Sequence, residues 1–170
     1  MDPAALEPLR ARLREIDRGL LRALAARARF PRHPLPAWPG GDPRRPAPPL
    51  AEILLALAPP GTAADSASVT QANAELVAAL RARQELAGEI AAAKCRQLGA
   101  DMHEVLALGD RERLLDLITD LAAELRVLDT IRAAAAELAP ELPPDLPPFL
   151  WREYLIPWTK QSELDHLLAP

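Results

Sequence analysis

The sequence predicts an all-α protein: a single-domain bundle of five to six helices with two proline-rich connectors and a kinked C-terminal helix. Three observations carry this. Hydrophobic residues make up 49% of the chain but aromatics only 4%, so the core is built of leucine and alanine, which suits closely packed helices. Val, Ile and Thr are sparse and no stretch of five alternates cleanly, so no strand is expected. Several runs repeat leucine at the three-and-four spacing of a buried helical stripe. At 170 residues the whole chain, 1–170, forms one domain large enough to bury a core.

The first helix is expected from Pro3 to Phe30, with Asp2 as N-cap and a stripe of Leu6, Leu9, Leu13, Ile16, Leu20 and Leu24. Pro31 ends it, because proline lacks a backbone donor and restricts the residue before it. Residues 31–60 hold ten of the nineteen prolines, so 31–49 reads as a connector. LAEILLALA, Leu50 to Ala58, is a short apolar helix closed by Pro59, Pro60 and Gly61. Ser68 and Gln71 have capping-box spacing and place the start of the next helix near Val69.

That helix contains the stretch around which the chain is organised, Leu76 to Lys94, with Leu76, Leu80, Ala87, Ile90 and Ala91 as its stripe. It runs until Gly99; Met102 to Ala107 adds a turn or two, and Gly109 and Asp110 break it. Asp110 to about Ala139 reads as one long helix with Leu114, Leu117, Ile118, Leu121, Leu125 and Leu128 along one face. Pro140 to Pro148 is the second proline-rich loop. The last helix, Phe149 to Leu168, has Pro157 in its middle, which kinks the rod at a cost of ~3 kcal/mol. Asp17–Phe30 weakly echoes Asn73–Leu86, setting Arg27 against Arg83; this is similar helix chemistry, not a repeat array.

The net charge of -4, with no basic block, argues against nucleic acid or an acidic membrane as the main partner. The single cysteine, Cys95, excludes an internal disulfide and suits a reducing compartment. His33, His103 and His166 lack ligand spacing, so no metal is expected. The N-terminus has no basic-then-apolar leader pattern, and no apolar run nears ~18 residues, so a soluble cytoplasmic protein is expected.

Some polar residues have a helical reason to share a site. Arg83 and Lys94 are eleven residues apart, which is about three turns plus ~20°, so both leave one side of the same rod ~16 Å apart. Asp120 and Glu124, and Thr159 and Glu163, are neighbours four apart on later helices. Arg10 lies beside the stripe of the first helix. Taken singly, each is ordinarily a solvated surface residue; four helices each offering one or two polar groups is how bundles build interior sites.

These residues resemble the all-α chorismate mutases, and within them a shortened member of the eukaryotic-type branch. Leu9-Arg10 and ARARFPRHP resemble that branch's first helix and its Phe-Pro exit, and LAEILLALA the short helix that follows. SVTQANAELVAALRARQELAGEIAAAK is similar to the central arginine-to-lysine helix, and LITDLAAELRVLDTI to the next catalytic helix. FLWREYLIPWTKQSELDHLL resembles the C-terminal helix, with IPWTKQSE its most distinctive part.

The resemblance implies an isomerase that converts chorismate to prephenate in aromatic amino acid biosynthesis, with no cofactor, as a homodimer. It implies that Arg10 and Arg83 bind the two carboxylates of chorismate, and that Lys94 bonds the ether oxygen and one carboxylate. Glu124 would hold the ring hydroxyl with Asp120 beside it, although the branch usually has an amide at the Asp120 position. Thr159 would support a carboxylate, and Glu163 would be the second partner of the ether oxygen. Glu163 can donate there only when protonated, a form that burial and a bound dianion favour and Lys94 opposes.

Three alternatives stay open at the level of sequence. One is a competing register in which Asp110-Arg111-Glu112-Arg113 matches the compact bacterial type and makes Arg111 and Glu112 catalytic. Another is a non-catalytic mutase-like partner that regulates another shikimate-pathway enzyme. The third is a relative that removes pyruvate from isochorismate. Larger members bind an aromatic amino acid at the dimer interface. Here the region between Phe30 and Ser68 is short, and its paired arginines, Arg44-Arg45, lie in the proline-rich loop. Weak or no feedback by tyrosine or tryptophan is therefore expected.

Overall fold

A computed structural model describes residues 3–31, 48–59 and 66–169. Most of the proline-rich connector, with Arg44-Arg45 and His33, lies outside the described residues, as do the Asp2 cap and Gly61. The fold is all-α: the described residues contain no strand. The elements are α1 (Pro3–Ala28), α2 (Leu50–Leu57), α3 (Ser66–Leu108), α4 (Arg111–Ile118), α5 (Leu121–Leu138), α6 (Leu146–Leu150), a π-helical turn (Trp151–Leu155) and α7 (Ile156–Leu167).

Helix α3 is the axis of the bundle, packed chiefly against α1 and α7, while α5 closes on α1. Its stripe residues Leu76, Leu80, Ala87, Ile90 and Ala91 are all buried. Gly88 interrupts a run of strong helix formers for a packing reason: a Cβ there would meet the His166 ring of α7 at 3.1 Å from Nδ1. The helix begins at Ser66, not near Val69, so Ser68 and Gln71 lie inside its first turns. At Gly99 the rod turns through φ 55°, a conformation open to glycine, before continuing to Leu108.

The core has two parts. The larger gathers Leu20, Leu21 and Leu24 of α1, Ile53 of α2, Leu76 and Leu80 of α3, Ile131 of α5 and Trp151 of the π turn. A smaller cluster at the far end joins Met102 and Val105 to Leu114, Ile118 and Leu164. Leu9 and Leu13 of the α1 stripe are only half-buried, because they line a cavity rather than packed core.

The buried Arg27 explains the ARARFP exit. Its guanidinium donates to Asn73 Oδ1 (2.7 Å), to the Phe30 carbonyl (2.9 Å) and to the Pro31 carbonyl (3.2 Å), fastening the end of α1 to α3. Burial lowers its pKa from the ordinary arginine value.

One segment read as a single helix is broken, and another carries a π turn. Asp110–Ala139 is not one helix: it stops at Ile118 and restarts at Leu121, with Asp120 as N-cap accepting from the Ala123 N–H at 2.9 Å. The break rotates the following face, so Leu121 and Leu125 of the expected stripe are exposed. The C-terminal segment runs without a gap from Leu146 to Leu167 as α6, a π turn and α7, with the irregular turn just ahead of Pro157. Pro157 has no N–H to give and its ring crowds the preceding turn. The wider turn absorbs this just upstream, where the Ile156 N–H bonds the Trp151 carbonyl five residues back.

Candidate functional site

A cavity of about 630 Å³ opens between α1, α3, α5 and α7. Arg10, Arg83, Lys94, Asp120, Glu124, Thr159 and Glu163 all line it. The structure therefore brings all seven residues singled out in the sequence to one place. It does not do the same for the competing register: Arg111 pairs with Asp165 on the outside (2.8 Å), and neither it nor Glu112 lines the cavity. Asp110 instead caps α4, accepting from the Arg113 N–H at 3.1 Å.

The inner end is nearly dry. Arg83 is 2% exposed and Glu163 4%. Arg83 forms an ion pair with the buried Asp17 of α1, and its Nε donates to Thr159 Oγ1 at 3.1 Å. The Thr159 hydroxyl is free to accept because its own proton goes to the Leu155 carbonyl, 2.7 Å away. Burial pushes the Asp17 carboxyl above the usual range, opposed by Arg83 and, more weakly, by the Trp151 indole. The indole nitrogen is buried and makes no hydrogen bond of good geometry among the described residues.

Lys94 and Glu163 form the second inner pair, Nζ to Oε2 at 2.7 Å. Lys94 also donates to the Ile118 carbonyl at 2.7 Å. That carbonyl belongs to the last residue of α4, where the helix has no partner to offer it. Burial raises the Glu163 pKa, while Lys94, Arg83 and Lys160 pull it back. The outer rim is wetter: Arg10 faces Asp120 at 3.5 Å, and Lys160 holds Glu124 at 2.6 Å, each group about a quarter to a third exposed.

No family model and no curated protein matches the sequence. Among solved structures, the chain is similar to the crystal structure of the chloroplast chorismate mutase from Zea mays, with a TM-score of 0.79. The two are 18% identical, and the likeness covers 99% of this chain and 97% of that one. This is the all-α chorismate mutase fold. In this chain, that fold brings polar residues from four helices around one cavity, with paired cations and carboxylates at its inner end.

Sequence reasoning missed Asp17 and Lys160. Asp17 is seven residues after Arg10, two turns of helix, so a shared face was readable there. Nothing local says that Asp17 meets Arg83, which lies 66 residues away. Lys160 adjoins Thr159, and its partner Glu124 is on another helix. Arg14, Arg18 and Arg126 also line the cavity; Arg14 pairs with Glu7 (2.7 Å) and Arg18 with Glu137 (3.1 Å).

Proposed function

We propose that this protein is a chorismate mutase, catalysing the rearrangement of chorismate to prephenate. The observation that carries the proposal is a nearly dry site in which Arg83 and the Lys94–Glu163 pair face one cavity with Arg10, on a fold shared with a chorismate mutase.

The reaction breaks the ether C–O bond as a C–C bond forms within the same molecule, with no net transfer of a proton or electron. It needs no nucleophile and no cofactor. The enzyme holds a flexible dianion in its compact reactive shape and stabilises negative charge on the departing oxygen. Arg10 and Arg83 suit the first task, because a planar guanidinium grips a carboxylate at two points. Asp17 and Thr159 fix the plane of the Arg83 fork in advance. Lys94 suits the second task as a held cation, with the Ile118 carbonyl limiting its freedom. Protonated Glu163 is the other donor to the ether oxygen, and Glu124 accepts from the ring hydroxyl. Asp120 lies beside Arg10 at the rim.

Incubation of purified protein with chorismate, following loss of the diene absorbance, tests the proposal. We expect turnover, and a loss of at least about a hundredfold in Lys94→Ala, consistent with removal of one fixed charge-stabilising donor. Absence of turnover in the wild type overturns the reading; release of pyruvate from isochorismate instead would assign the lyase reaction. A homodimer in the cytoplasm completes the proposal, supported by leucines left on the surface and by the lone free cysteine. No helix among the described residues is long and apolar enough to cross a membrane.

A further inference from the structure

A chain of net charge -4 repels a dianion at long range, so capture depends on local cations. Around the cavity, every other lysine and arginine already faces a carboxylate of the protein. An incoming carboxylate must compete with those acids for those cations. Arg126 differs. It lines the same cavity from α5, it is exposed, and it has no acid partner among the described residues. Glu124, the acid near it in the lining on the same helix, is already held by Lys160, and the neighbouring Val127 and Thr130 are uncharged.

We propose that Arg126 is the anion-capture residue at the mouth of the cavity. Its guanidinium, on a stem that reaches ~6 Å, takes one carboxylate of the arriving dianion while Arg10 is still held by Asp120 and Lys94 by Glu163. The substrate then passes inward and displaces Asp120 from Arg10, while Asp17 keeps its hold on Arg83. Arg126 contributes to binding and not to the chemical step. The identity of the dianion rests on the chorismate mutase reading; the capture role rests on the charge pattern alone.

The experiment compares wild type, Arg126→Gln and Arg126→Glu with the control Arg132→Gln. Arg132 is exposed on the same helix, paired with Asp129 and outside the cavity, so its loss changes net charge equally. With chorismate, we expect Arg126→Gln to raise KM about three- to fivefold, the range of one exposed ion pair. Its kcat should be unchanged and KM should depend less on salt, because the screened contact is gone. Arg126→Glu should raise KM further, and Arg132→Gln should match the wild type.

Calorimetric titration with isophthalate, an unreactive ring dicarboxylate, reads capture without turnover and should show the same order of affinities at low salt. Arg126 variants equal to Arg132→Gln in KM and in isophthalate affinity overturn the proposal. So does a fall in kcat with KM unmoved. A wild type that binds isophthalate through Arg126 but leaves chorismate intact keeps the capture role and sinks the mutase reading. A wild type that does neither sinks both.

Discussion

Asp17 shows how one buried carboxylate can set the geometry of a site. It is 4% exposed and faces Arg83, which is 2% exposed. Removing one partner of such a pair strands the other charge, at a cost of about 3–5 kcal/mol. The chain contains its own comparison: Arg27, aligned with Arg83 by the sequence echo, bonds Asn73, which aligns with Asp17. An amide therefore serves where an acid serves in the other pair. Asp17→Ala should lower the free energy of unfolding by about that amount. Asp17→Asn should keep most of the stability and raise KM, since Arg83 keeps an acceptor but loses its charged anchor. Equal damage from both, measured by chemical denaturation, would show that charge alone fastens Arg83.

Glu163 gives the second prediction at this scale. Burial raises its pKa against the pull of Lys94. On the proposed mechanism the protonated form is the donor, so activity should fall as pH rises through that raised value. Glu163→Gln donates at every pH and should extend activity upward. A wild-type rate flat between about pH 5 and 9 would exclude this role, because a proton donor must titrate.

Among the elements, the break between α4 and α5 has the clearest consequence. It frees the Ile118 carbonyl for Lys94 and turns Asp120 into a cap that also meets Arg10. The two duties can be separated by substitution. Asp120→Ala removes the cap and should cost about 0.5–2 kcal/mol. Asp120→Asn keeps the cap and removes the acid that competes for Arg10, so KM for chorismate should fall with stability unchanged. An unchanged KM in the asparagine variant would mean that the 3.5 Å pair at the rim does not hold Arg10 back. The π turn has a related logic: it widens the backbone ahead of Pro157 and sets where α7 begins, one turn before Thr159 and two before Glu163.

For the whole molecule, the bundle leaves leucines uncovered. Leu121 and Leu125, four apart on α5, are 69% and 64% exposed, and Leu108 is 69% exposed. A homodimer would cover such surface, since self-association is the commonest way to do so. Light scattering at micromolar concentration should give twice the 18.5 kDa chain mass. A monomer mass across that range would leave those leucines as ordinary surface. The cross-paired arginines act at this scale too. Arg27 of α1 reaches Asn73 of α3, and Arg83 of α3 reaches Asp17 of α1, so the two long helices are clasped at two places by matching segments.

Local pattern determined the helical class, the run of α1, α2 and the body of α3, and the residue types around the cavity. Leucine spacing and proline positions act within a few turns, so they are written in the chain itself. Only the tertiary structure decided the break at Thr119–Asp120, the π turn, and the partners of Arg83 and Lys94. The pattern from Leu114 to Leu128 continues through the break. What stabilises the interruption includes a lysine 24 residues upstream, which takes up the released carbonyl. Each of these contacts joins groups brought together by packing between distant helices, and hydrophobic periodicity carries no record of which polar groups will meet there.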